Sequence, residues 1–454
     1  MIGHKKGYTE QVENLAKLCK ANPTFSEEVY REKQVKRGLR DIDGTGVIAG
    51  LTDISDVIAK KVVDGEKVPC PGELYYRSIN VKDIIAGYDD ESCSGFEEVV
   101  YLLLFNKLPT KKELTAFKQL LADYRKLPRN FVRDVIMKAP SKDVMNSLAR
   151  CILTFYSYDH HALDNSFENI LRQCLTLIAV TPMFAVYAYN AHMHYNENKS
   201  LVIHKPLPEL STAENLLYML RPDSKFTALE AKVLDIAFIL HAEHGGGNNS
   251  TFTTHVVTSS GTDTYATMAA ALCSLKGPRH GGANIKVMEM FADIKKHVKD
   301  WNNEQELTAY LSDMLEGKVF DKAGLIYGMG HAVYSISDPR AEVFKQFVGE
   351  LAKEKGRNKE FKLYERVEEI SKRLIMEKRK TYKGVSANVD FYSGFVYNML
   401  GLPTELYTPM FAVARVAGWS AHRLEEILNA GKIIRPAYVS LNTRKEYVNI
   451  NERG

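Results

Sequence analysis

The chain has 454 residues, 45% hydrophobic and 26% charged, with 60 basic against 56 acidic side chains and a formal net charge of +4. These are the proportions of an ordinary globular protein, long enough to bury a large core in two or three domain-sized units. The near balance of charge carries no global signature of nucleic-acid binding, so an anionic small molecule would have to be met by local arginines. Cys19, Cys70, Cys93, Cys151, Cys174 and Cys273 are scattered and form no Cys-x-x-Cys pair. Neither a disulfide framework nor a thiolate zinc site is expected, and reduced thiols in a cytoplasmic setting are the simplest expectation. The opening Met1-Ile2-Gly3-His4-Lys5-Lys6 lacks the apolar segment of a secretory signal.

Strand signals sit near the front. Val47 to Ile54 and Glu73 to Val81 alternate loosely, interrupted by Gly44, Gly46, Pro69, Pro71 and Gly72, and predict a small hairpin-like patch. From about residue 95 helical signals take over. Thr110-Lys-Lys-Glu113, Ser211-Thr-Ala-Glu214 and Thr227-Ala-Leu-Glu230 each read as a capping box before an apolar run. The stretch Cys174 to Ala191 carries no charge and approaches membrane-span length, but Pro182, Asn190, two threonines and two tyrosines dilute it. A buried core or subunit-interface helix is expected there, and no membrane span. Lys345 to Lys362 reads as a solvated helix end and loop. Thr408-Pro409 marks a helix start, and Gly431 closes a helix over Ala421 to Ala430. No Gly-x-Gly-x-x-Gly follows a strand and no internal repeat is visible, so the expected class is all-α with a small N-terminal β patch.

Four segments place polar residues beside glycines at the ends of apolar helices, where loops can expose groups that helices cannot. In His241-Ala-Glu-His244-Gly-Gly-Gly-Asn248, histidines three apart would share a helix face. A metal site with His255, a substrate site and a capping or core role are all open there, although the His-Glu-x-x-His spacing of a zinc hydrolase is absent. Gly277-Pro-Arg-His280-Gly-Gly-Ala-Asn284 puts a histidine among glycines, either as a functional group or as a turn histidine bonded to a carbonyl. In Tyr327-Gly-Met-Gly330-His331-Ala-Val-Tyr334, with Asp338-Pro339-Arg340 following, a histidine again leaves a glycine turn and an arginine opens a helix. Two such histidines and an arginine suggest an anionic substrate with an oxygen to polarise. The fourth segment is Asn388-Val-Asp390-Phe-Tyr-Ser-Gly394, where Asp390 taken alone reads as a helix N-cap or as a catalytic base.

Taken in order, these segments resemble the citrate synthase family, as do Gly72-Glu-Leu-Tyr-Tyr-Arg77, Phe96-Glu97-Glu98-Val99 and Leu108-Pro109-Thr110 nearer the front. The resemblance runs nearly the length of the chain. It implies a two-domain, mostly helical homodimer: a large domain from 1–284 and 396–454, and a small domain over 285–395 that closes on substrate. By the same resemblance Asp390 removes the methyl proton of the acetyl thioester, His280 hydrogen-bonds the thioester oxygen, and His331 polarises the oxaloacetate carbonyl. His244 and Asn248 lie near the dicarboxylate. Arg340 and Arg415 bind its carboxylates, and Arg435 is supplied across the dimer interface. Leu325, Ile326, Gly328 and Gly330 match backbone that receives coenzyme A, and Lys383 a contact to one of its phosphates.

The implied reaction joins acetyl-CoA to oxaloacetate and releases citrate and coenzyme A, with the thioester as cosubstrate, no tightly bound cofactor and no metal. Propionyl-CoA with 2-methylcitrate as product is the nearest alternative, because one methylene changes selectivity only modestly. A histidine-based metalloprotein and a non-catalytic helical scaffold are the alternatives of other classes. Departures from the family pattern are Glu243 where Asp is usual, the glycines Gly245 to Gly247, Ala332 after His331, and the approach Tyr382 to Ala387 to the last motif.

Overall fold

In a computed structural model, residues 10–41, 45–89, 93–331, 333–379, 384–429 and 431–453 are described. The chain divides into two units, Met1–Gly50 with Arg435–Gly454, and Leu51–Ile434. In the first unit, helices α1 (Glu10–Lys20) and α2 (Glu27–Glu32) bury none of their residues. Its other features are a bridge between Arg40 and Gly46 and two short 3-10 turns, at Arg37–Leu39 and Ile450–Glu452.

The second unit opens with the only sheet among the described residues, β1 (Ser55–Val63), β2 (Glu66–Tyr76) and β3 (Ile79–Asn80), in the order β1-β2-β3 and antiparallel. The hairpin thus starts later than the pattern over Val47 to Ile54 predicts. What fixes it is Asp64-Gly65, both with positive φ (52° and 83°), the conformation that a tight two-residue hairpin turn requires. Val63 consequently pairs with Glu66. The prolines read as breakers lie inside β2. The register slips opposite them, between Ile58 and Lys60, and β3 covers only Tyr75 and Tyr76, so Pro69 and Pro71 interrupt no second ladder. Cys70, Gly72, Leu74 and Tyr76 alternate onto the buried face of β2.

Helices follow: α3 (Val81–Ala86), α4 (Gly95–Phe105), α5 (Lys111–Tyr124), α6 (Val144–Phe155), α7 (Phe167–Glu197), α8 (Thr212–Leu220) and α9 (Ala228–His241). After them come α10 (Asn249–Ser259), α11 (Thr264–Leu275), α12 (Ala283–His297), α13 (Glu304–Leu315), α14 (Pro339–Glu354), α15 (Asn358–Arg379), α16 (Val389–Met399) and α17 (Tyr407–Leu428). The predicted capping boxes start α5, α8 and α9, each with both reciprocal bonds made. Thr227→Ala should therefore lower the stability of the protein by about 1 kcal/mol, seen as a lower urea midpoint at unchanged slope.

The uncharged stretch lies in α7, which runs 31 residues with Pro182 inside it. It is long and apolar enough to cross a membrane, yet 89% of its apolar window is buried in the protein, so it serves as a core helix. Its neighbours are α5, α6, α8 and α17. The C-terminal helix differs from expectation. One continuous α17 replaces a separate Ala421 to Ala430 helix, Pro409 falls in its first turn, and Asn429 rather than Gly431 ends it. Gly418 does not break this helix, because its missing side chain is what lets α17 lie against Ala242 and Glu243.

Candidate active site

The helix α9 stops at His241, so His241 and His244 do not share a helix face as their spacing predicts. The His241 ring is buried, stacks on Phe411 at 3.7 Å and places Nε2 2.8 Å from the Tyr397 hydroxyl. His255 instead pairs with Glu426. Among the described residues no three His, Cys, Asp or Glu side chains are grouped to hold a metal. His244 turns the other way. Its buried ring lies 5.5 Å from that of His331 and 5.6 Å from Tyr334, and its Nε2 has no hydrogen-bond partner among the described residues. Burial holds its pKa well below the usual imidazole value, and Arg340, His331, Arg415 and His280 push the same way, so the ring is neutral.

The buried face of β2 holds this turn and the His331 segment together. The Tyr76 hydroxyl reaches Ile239 O at 2.9 Å and Glu243 O at 3.0 Å, at the exit of α9. Four residues earlier, Gly72 N donates to Ser337 O at 3.2 Å. A side chain at Gly72 would collide with that carbonyl and with the Tyr334 ring.

His331 leaves a turn in which Gly328 and Gly330 have φ of 78° and 88°, values that side chains resist. A Cβ at Gly328 would also meet Phe391 and Val287. The turn is stitched to the segment before α16: Asn388 N donates to Gly328 O (2.9 Å), Gly330 N to Ser386 O (2.7 Å) and Asn388 Nδ2 to Gly330 O (3.0 Å). His331 Nδ1 accepts from the backbone N–H groups of Val333 (2.9 Å) and Tyr334 (3.0 Å), which leaves the ring hydrogen of the neutral imidazole on Nε2. Asp338 caps α14 and forks onto Arg340, Oδ1 to Nε at 3.0 Å and Oδ2 to Nη2 at 2.8 Å, both residues buried. Arg340 Nη2 also lies 3.4 Å from His331 Nε2.

The same segment shows that Asp390 does not cap α16. Asn388, not Asp390, is the N-cap of α16, accepting from Asp390 N at 3.0 Å. The Asp390 carboxyl is thereby free of capping duty. Burial raises its pKa to about 6 against the pull of Arg340, with Asp338 adding to the rise and Arg415 opposing it.

His280 sits in the turn after α11, where His280 N and Gly281 N both donate to Gly277 O. Its Nε2 lies 3.1 Å from Ser250 Oγ, which in turn donates to Asn248 Oδ1 (2.9 Å) and accepts from Trp419 Nε1 (3.2 Å). Burial first, then Arg415, lowers the His280 pKa to about 4, so it too is neutral near pH 7. Arg415, on α17, is buried and donates from Nε to His241 O at 2.6 Å. Leu325, Ile326, Gly330 and His331 line one cavity of about 270 Å³, with Ile326 buried and Leu325 exposed. Lys383 and Ala332 lie outside the described residues. Arg435 belongs to the other unit and is exposed there.

The structure thus gathers His244, His280, His331, Arg340, Asp390 and Arg415 as mutually influencing groups. It adds Asp338, Ser250 and Trp419. Asp338 precedes a proline that marks a helix start, but the sequence reading singles out neither Ser250 nor Trp419.

The family described as "Citrate synthase, C-terminal domain" matches residues 40–437. The chain belongs to the citrate synthase family. Relatives of this acyltransferase-type condensing family include citrate synthase of Synechocystis sp., 34% identical over 84% of this chain and 88% of that one. They also include 2-methylcitrate synthase of Shewanella oneidensis, 32% identical over 82% and 90%. Among solved structures, citrate synthase from Pyrobaculum aerophilum aligns with a TM-score of 0.75 at 28% identity, covering 91% of this chain and 95% of that one. The Thermoplasma acidophilum enzyme, in a ternary complex with carboxymethyl coenzyme A and oxaloacetate, aligns at 0.74 with 27% identity, covering 92% and 99%. The mostly helical class with a small three-stranded sheet agrees with these neighbours.

Proposed function

We propose that this enzyme condenses acetyl-CoA with oxaloacetate and hydrolyses the resulting thioester to citrate and coenzyme A. The observation that carries the reading is the backbone stitching of the His331 turn to the segment opening the Asp390 helix, with the buried Arg340 and Arg415 acting on the Asp390 carboxyl. Asp390 takes a methyl proton from the thioester. An ordinary aspartate, near 3.9, is a weak base for this, and a carboxyl at about 6 narrows the gap.

The enol oxygen needs a donor as its charge develops, and a neutral His280 supplies one without setting a further cation beside Arg415. When Asn248 turns to substrate, the Ser250 hydroxyl swings round to donate to His280 Nε2 while keeping its proton, so the single hydrogen of the neutral ring sits on Nδ1 and is given to that oxygen. His331 Nε2–H polarises the keto carbonyl, and the enol carbon attacks it to form the new carbon–carbon bond. Arg340 and Arg415 take the two carboxylates in planar forks. The Nε2 of His244, without a hydrogen-bond partner among the described residues, offers one more contact to the dicarboxylate. Water then cleaves the thioester, releasing the thiol.

In this reading coenzyme A lies along Leu325 to Gly330 beside the 270 Å³ cavity, with a phosphate reaching Lys383. The segment 285–395 closes as a small domain over the large one formed by 1–284 and 396–454, excluding water from the thioester. A cytoplasmic homodimer, with Arg435 given to the neighbouring subunit's site, completes it. Leu18 and Tyr438, 70% and 94% exposed in the terminal unit, are the kind of apolar surface that a second subunit covers. A thiol-release assay with oxaloacetate and either acetyl- or propionyl-CoA tests the function. Faster release with acetyl-CoA is expected. A clear preference for propionyl-CoA replaces citrate by 2-methylcitrate as the product, and no release with either removes the reading.

A further inference from the structure

Behind the His244 turn runs a line of four titratable side chains that the mechanism does not use. Glu426 Oε2 lies 2.8 Å from His255 Nδ1, His255 Nε2 lies 3.1 Å from His422 Nδ1, and His422 Nε2 lies 3.1 Å from Glu243 Oε1. The inner half is sealed, with the His422 and Glu243 side chains 0% exposed, while His255 and Glu426 are 12% and 18% exposed. The same Glu243 oxygen accepts from Ser55 Oγ at 2.9 Å and from Gly245 N at 2.5 Å, so it pins the residue next to His244. Three elements contribute: α10 carries His255, α17 carries His422 and Glu426, and Glu243 lies between α9 and α10.

Counting protons gives this line a defined charge. The two outer contacts are hydrogen bonds that use the one N–H each neutral imidazole carries, while His422 Nε2 meets the Glu243 carboxylate at 3.1 Å as an ion-pair contact with no aligned hydrogen bond. Without a third proton one ring lone pair faces a carboxylate or the other ring's lone pair. We propose that Glu426, His255, His422 and Glu243 form a proton-sharing relay whose single extra proton positions the turn carrying His244, and with it the affinity for the dicarboxylate keto acid. The inference rests on the proposed function only in taking oxaloacetate as that acid. These four are positioning residues, since they act through Gly245 and His244.

Further charged groups face this line. Glu425 lies 3.8 Å from His422 Nδ1 and accepts from Asp53 N at 2.8 Å. Arg77 faces Glu425 and Asp53. Arg415 and Tyr76 face Glu243. Carboxylates therefore outnumber the facing arginines. Burial alone would raise the Glu243 pKa, but His422 leads the groups that hold it at about 2, so this carboxyl stays anionic. Burial and then His422 lower that of His255, in keeping with one charge on the pair and not two.

The experiment is the Kd of oxaloacetate by calorimetry from pH 6 to 9, alongside kcat from thiol release, for the wild type and Glu243→Gln. The wild type should bind about tenfold more weakly above one pH step, the low end of what a hydrogen bond to a charged group is worth, with kcat little changed across it. Removing the inner anion should move the step to lower pH by about one unit or more. A role in packing alone would weaken binding evenly and leave the step where it was. Should Glu243→Gln fail to fold, Glu426→Gln at the outer end removes the other anion and should move the step the same way. A step at the same pH in variant and wild type, no step at all, or no oxaloacetate binding at any pH overturns the relay. Binding with its step intact but without thiol release removes the proposed reaction and leaves the relay standing.

Discussion

Asp390→Asn should lower turnover by roughly 10²–10⁴-fold, the usual worth of a positioned general base, while oxaloacetate still binds. The asparagine keeps the shape of the aspartate and the cap that Asn388 provides, so α16 and the stitched turn survive. What disappears is the acceptor for a carbon-bound proton. Near-normal turnover in steady-state thiol release would remove Asp390 as the base. The wild type carries a second signature. Its carboxyl, raised to about 6, must be ionised to act. kcat/KM for acetyl-CoA should therefore be flat above that pH and fall about tenfold per unit below it. The sign is opposite to that of the relay, whose step weakens oxaloacetate binding as pH rises, so the two are separable in one set of profiles.

The second large effect is expected from His280→Ala, a loss of about 10²–10³-fold in kcat, as for deletion of one donor at a developing oxyanion. Because the ring is neutral near pH 7, its pKa held at about 4, the loss should not vary between pH 7 and 8. Asn at the same position carries an N–H donor on a shorter arm and should recover part of the rate. Equal activities for His280→Ala and the wild type, measured at saturating oxaloacetate, would take His280 out of the enolisation step.

Much of this was legible from residue order, and what was hidden has identifiable causes. The three capping boxes were readable because their determinants lie three residues apart on one strand of chain. The hairpin was misplaced because its signal, Asp64-Gly65, is a turn signal and not a strand signal, and the prolines beside it suggested a break. His241 and His244 showed the right chemistry at the wrong geometry: the helix ends between them, so one ring entered the core against Phe411 and the other faced His331. For Asp390 the sequence leaves cap and base both open, because only the placed side chain of Asn388 shows which residue caps α16. The relay was beyond sequence reasoning, since its members come from positions 243, 255, 422 and 426 and meet only through the packing of α17 on the α9 exit.

The strand β2 acts as a gauge. On its buried face Tyr76 fixes the carbonyls at the α9 exit, and Gly72 fixes the loop between His331 and Arg340. The spacing between the two halves of the site is therefore set by four residues of extended backbone, roughly 13 Å at the usual rise. Strand faces alternate, so a slip of one residue would put Gly72 and Tyr76 on the opposite side. Beyond the slip between Ile58 and Lys60 that register is held by the pairs Ile58–Glu73 and Ser55–Tyr76, so the spacing of the site depends on how β1 pairs with β2 past the irregularity and not on the hairpin turn.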